Sequence, residues 1–98
     1  MTNLNYKSSL QNLKSKARQE GFTVRCLKGK LKDYAGMNDL IASQIGYPDM
    51  DKKTIDIDSD MSYKNQYITL AHELREREKM SKGKKYWNAH VETLEEIG

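Results

Sequence analysis

The chain holds two histidines, and the residues around them could do chemistry. His72 opens the run His72-Glu73-Leu74-Arg75-Glu76, which reads as helix, and His90 lies one helix further on. In a helix the side chains at i and i+4 stand one above the other. His72 and Glu76 therefore share a face and can close on one metal ion, while Glu73 points off to the side. In the pattern H-E-x-x-H, two such ligands hold zinc and the intervening glutamate takes a proton from the activated water. Here the fifth position is Glu76 rather than histidine. With His90 as third ligand the chain still offers two histidines and a glutamate, the inventory of a catalytic zinc site with a fourth position left for water. The expected metal ligands are His72, Glu76 and His90, with Glu73 as general base.

Two helices must bring these residues together. Ser62 can cap a helix running through Tyr67, Ile68, Ala71 and Leu74 toward Met80, and Gly83 supplies its stop. A second helix is expected from about Lys84 to Ile97, with Trp87, Val91, Leu94 and Ile97 three or four residues apart. A short turn between them predicts an antiparallel hairpin, with Tyr86 and Trp87 in its core. With the fold-back near Lys82, Glu76 lies six residues before it and His90 eight after. At about 1.5 Å per residue their heights differ by only about 3 Å. Glu92 falls near the level of His72 and is a reserve ligand. The plainer reading is a solvated His/Glu pair, with Arg75, Arg77 and Lys79 as salt-bridge partners for Glu73 and Glu76.

The upstream half supplies smaller elements. From Leu4 to about Gln19, Leu10, Leu13 and Ala17 recur at helical spacing, and Gly21 ends the helix. Phe22, Val24 and Cys26 alternate with Thr23 and Arg25, as in a strand with one buried face, followed by a turn around Gly29. That places Cys26 as a small core residue rather than a nucleophile. Residues 37–45 read as a short helix with Leu40, Ile41 and Ile45 on its apolar side, stopped at Gly46-Tyr47-Pro48. Lys53 to Asp58 alternates again. Its shortness and its charges suggest an edge strand.

Composition sets the frame. Ninety-eight residues make one domain, and 37% hydrophobic against 32% charged residues implies a thin core, so a bound metal would matter to stability. No apolar run approaches the ~20 residues needed to cross a bilayer, and the polar N-terminus lacks the form of a secretory signal. The expectation is a soluble, cytoplasmic protein without a membrane partner. Cys26 is the only cysteine, so any metal is held by nitrogen and oxygen. The net charge of +3 is uneven, with eight cations against two acids in residues 1–35. Such a basic third could face nucleic acid, although it carries few aromatics for base stacking and no nucleic-acid motif.

A resemblance follows from the same residues. Thr54-Ile55-Asp56-Ile57-Asp58, followed by Tyr67-Ile68-Thr69-Leu70-Ala71-His72-Glu73-Leu74-Arg75-Glu76, resembles the edge strand and active-site helix of zincin-like metallopeptidases. Tyr86-Trp87-Asn88-Ala89-His90 is similar to a downstream segment of compact phage- or mobile-element-type proteins with a His-Glu-x-x-Glu helix. The resemblance covers residues 53–97 and implies a minimal zincin-like fold, zinc on His72, Glu76 and His90, and Glu73 as base. Glu76 departs from the zincin pattern; its extra negative charge makes the metal a weaker Lewis acid. The expected fold is α+β, with an N-terminal helix, a small sheet and a C-terminal helical hairpin. The expected function is a zinc-dependent hydrolase of peptide bonds. The rival is a non-enzymatic, phage-like regulatory module that binds a protein partner, or nucleic acid through its basic third, with a metal that is structural or absent.

Overall fold

The computed structural model describes residues 5–29, 34–46 and 50–97. Asn5 opens the first helix, α1 (Tyr6–Gln19), by accepting a hydrogen bond from the Ser8 backbone N–H at 3.2 Å. The chain then turns into strand β1 (Thr23–Leu27), passes through a three-residue strand β2 (Gly36–Asn38) into the short helix α2 (Asp39–Ile45), and returns as β3 (Thr54–Asp58). Two helices complete the α+β fold: α3 (Tyr63–Ser81), capped by the Ser62 hydroxyl, and α4 (Tyr86–Glu96). Residues 82–85 join these two as the C-terminal helical hairpin. The expected start of α1 at Leu4, the far side of the Gly29 turn and the stop at Tyr47-Pro48 lie outside the described residues.

The sheet has the order β1-β3-β2, with β1 parallel and β2 antiparallel to β3. The strand expected at an edge, β3, is therefore central. Its charges do not keep it at the rim because Asp56 is neutralised in place: Arg25, its register partner on β1, donates to both carboxylate oxygens at 2.6 and 2.7 Å. The alternate residues Ile55 and Ile57 are fully buried. The real edges are β1 and β2. Of the alternating residues Val24 and Cys26 on β1, only Val24 is buried, so the expected core cysteine is not in the core.

Two apolar clusters flank α3. Leu10 and Ala17 of α1, Val24, Ile55 and Ile57 of the sheet and Leu70 of α3 form one; Met37, Ile41, Ala42, Met80 and Ala89 form the other. The second cluster ties β2, α2, the end of α3 and α4 together. Ile45, expected on the apolar face of α2, is 46% exposed; Ala42 fills that role instead. Residues 37 and 38 are strand rather than helix because they pair with Asp56 and Ile55, and Asn38 then serves as the α2 cap.

An ion pair with a buried carboxylate fixes α2 to α3. Arg77 donates to Asp39 through Nε at 2.7 Å and Nη2 at 3.1 Å, while the Lys53 backbone N–H donates to Asp39 Oδ2 at 3.0 Å. Burial alone would raise the Asp39 pKa, but the Arg77 and Lys53 bonds outweigh it and hold the carboxyl below its ordinary 3.8. Its contribution to stability is thus present above pH 3.8 and is lost as pH falls through the depressed value. Arg77→Met should cost about 3 kcal/mol at neutral pH, because it strands a buried carboxylate. In urea titrations that deficit should shrink as pH falls toward and through 3.8, as Asp39 protonates first in the variant and then in the parent.

Candidate metal centre

The central stretch of α3 buries polar residues where a helix of this length would ordinarily bury apolar ones. His72, Glu73, Glu76 and Lys79 are all buried, with Glu76 only 1% exposed. Helical spacing stacks His72 over Glu76, and Nε2 lies 2.7 Å from Glu76 Oε2. The hairpin brings α4 back at the expected height, with His90 Nδ1 2.9 Å from the same oxygen and 3.3 Å from His72 Nε2. The three ligand atoms expected from the sequence converge, all within 4.8 Å of one another.

The spacing fits a metal. Zinc with bonds of about 2.0–2.1 Å in a tetrahedral array separates neighbouring ligand atoms by about 3.3–3.4 Å. The nitrogen-to-nitrogen distance already has that value. The two contacts to Glu76 are shorter and would open by about half an ångström. The donor set of two imidazoles and one carboxylate suits zinc and also accepts iron, nickel or manganese. Glu92, the reserve ligand, is not in the group: it pairs with Lys84 and Lys79.

The arginines and lysine expected to neutralise Glu73 and Glu76 point elsewhere: Arg75 to Glu78 and Glu96, Arg77 to Asp39, and Lys79 to Glu96 at 2.7 Å. Among the described residues neither Glu73 nor Glu76 has a lysine or arginine ion pair. Burial, and then the neighbouring Glu76 charge, pushes the Glu73 pKa up to about 8. The hydrogen bond to Glu76 raises that of His72 despite burial. Both shifts are ways of recruiting a positive charge, as a proton, into a place that lacks one.

Two residues that sequence reasoning missed shape the surroundings. Asn38 is fully buried, and its Nδ2 donates to Glu73 Oε1 at 3.2 Å and, more weakly, to Glu76 Oε1 at 3.5 Å. Its sequence signal, a polar residue ahead of a short helix, announces a cap and nothing more. Gly36 lets β2 lie against α3: a Cβ there would stand 2.6 Å from Thr69 Cγ2 and 3.0 Å from Glu73 Cγ. Tyr86 stacks on His90 with ring centres 5.4 Å apart. It is half-buried beside the second apolar cluster, in keeping with its expected hairpin role. Trp87 is not: it is 67% exposed, because Ala89 and Thr93 form the face of α4 that packs inward.

His72, Glu73 and His90 open onto a cleft of about 380 Å³ walled by Tyr34, Gly36, Thr69 and Tyr86. Two of the three candidate ligands and the neighbouring carboxylate thus line one cleft. No helix among the described residues is long and apolar enough to cross a membrane. No family model, curated protein or solved structure matches the chain, so the zincin-like resemblance rests on its residues alone.

With its pKa raised from 4.5 to about 8, Glu73 favours the folded state while protonated. That contribution is complete below pH 4.5 and is lost as pH rises through 8. In chelator, the stability of the parent should fall by roughly 3–5 kcal/mol on this account between pH 5 and 9. Glu73→Gln, which stays neutral, should flatten the dependence in urea titrations.

Proposed function

We propose that His72, Glu76 and His90 hold one zinc ion and that Glu73 is the general base of a hydrolase acting on peptide bonds. The observation that carries this reading is the convergence of three ligand atoms beside a buried carboxylate that has no arginine or lysine partner among the described residues. Zinc bound there would supply the Lewis acidity that makes water a nucleophile at neutral pH. Glu73 lies one residue from a ligand and lines the same cleft. Burial and the neighbouring Glu76 charge hold its proton affinity near neutrality, where a base that must take a proton and return it to a leaving amine works best. A nearby cation would favour its ionised, proton-accepting form. Glu76 in place of histidine tempers the metal, so slow turnover is expected.

A second reading also has an observation behind it. Trp87, Leu94 and Ile97 of the α4 region leave apolar surface exposed, as expected of a module that docks on a protein partner and uses its metal only to hold α4 in place.

The two readings part at Glu73. Zinc-loaded parent and Glu73→Gln, matched for metal content, can be incubated with a mixed-sequence peptide pool and the products followed by mass spectrometry. A hydrolase predicts cleavage by the parent and a loss of about 10²–10⁴-fold in the variant. No cleavage by fully loaded parent would leave the binding module, and equal cleavage by both would overturn Glu73 as the general base.

A further inference from the structure

We infer that Asn38 is the positioning residue of the metal centre, holding Glu76 to one-oxygen ligation and Glu73 apart from the metal. The inference rests on the metal reading and adds a component that no ligand pattern contains. Asn38 stands at a junction: it is the last residue of β2 and the cap of α2. Its Oδ1 accepts from the backbone N–H groups of Leu40 at 2.9 Å and Ile41 at 3.1 Å. That commits the oxygen to the helix and turns the NH₂ group the other way, toward Glu73 Oε1 and Glu76 Oε1. The amide cannot be reversed. A flip would set its oxygen against two carboxylates and its NH₂ against two N–H donors.

The consequence lies in how each carboxylate divides its oxygens. Glu76 offers Oε2 to both histidine nitrogens and Oε1 to Asn38. With Oε1 held by this longer bond, Glu76 would offer a metal one atom, and a tetrahedral ion on three protein atoms would keep one open position. Without Asn38, Glu76 can swing to chelate with both oxygens and fill that position, and Glu73 loses its hydrogen-bond donor. Partners that orient ligands in this way typically contribute 10–100-fold to metal affinity.

Asn38→Ser tests this, because serine keeps the cap acceptor but is too short to reach the carboxylates. Zinc affinity would be measured by competition with a chromogenic chelator, and coordination by the visible spectrum of the cobalt-loaded protein. Met37→Ala, a neighbouring core truncation in β2, controls for loosened packing. The expected result is intense four-coordinate cobalt absorption in the parent and in Met37→Ala. Asn38→Ser should bind zinc about 10–100-fold more weakly and show the fainter bands of higher coordination. Parent-like affinity and spectrum in Asn38→Ser would overturn the role of Asn38 while leaving the metal site standing. The same losses in Met37→Ala would also overturn it, as an effect of packing. A parent that binds neither metal would overturn the metal reading itself, and this inference with it.

Discussion

Two glutamates buried one helical turn apart are the constraint around which this small protein is arranged. Glu73 and Glu76 lie on the inner side of α3, at 7% and 1% exposure, where an unpaired carboxylate is costly. A solvated surface pair would need nothing from the fold. Here β2 brings an amide donor, α4 brings a second histidine, and the nearby arginines and Lys79 are engaged elsewhere. Two imidazoles, one amide and a shared proton can satisfy these oxygens after a fashion. A divalent cation would satisfy them more completely, since it would meet the negative charge without asking Glu73 to stay protonated.

The supporting parts follow from that constraint. Gly36 is where the edge strand comes close enough to α3 for Asn38 to reach the carboxylates. Asp39, one residue on, locks α2 against Arg77, which holds the Asn38 end of β2 in place. On the far side α4 packs through Ala89 and Thr93, two small residues, and its ion pairs from Glu92 and Glu96 to Lys79 are partly solvated. Such pairs contribute little on their own. His90, held in common with α3 by a metal, would be the strongest attachment α4 has.

Much of this was legible in the residues. The i, i+4 pair and the height count across the hairpin placed His72, Glu76 and His90 together because helical rise is regular and the turn is short. The Ser62 cap and the ends of α3 followed from local chemistry. What failed was non-local. The central place of β3 depends on Arg25 reaching across to Asp56 from 31 residues away, which alternation alone does not reveal. Trp87 looked like core because it is large and apolar, yet the inward face of α4 belongs to small residues that permit close packing on α3. Asn38 was invisible as a site residue because its cap role is local and its second role crosses to α3.

The most direct test of the account is metal content, by elemental mass spectrometry, of protein purified without a histidine tag, beside His72→Ala and His90→Ala. The account predicts about one zinc per chain in the parent and loss of the metal in both variants, each of which removes one of three ligands. Parent protein that holds no metal even after incubation with zinc would contradict it, and the two histidines would then serve only as hydrogen-bond partners of Glu76.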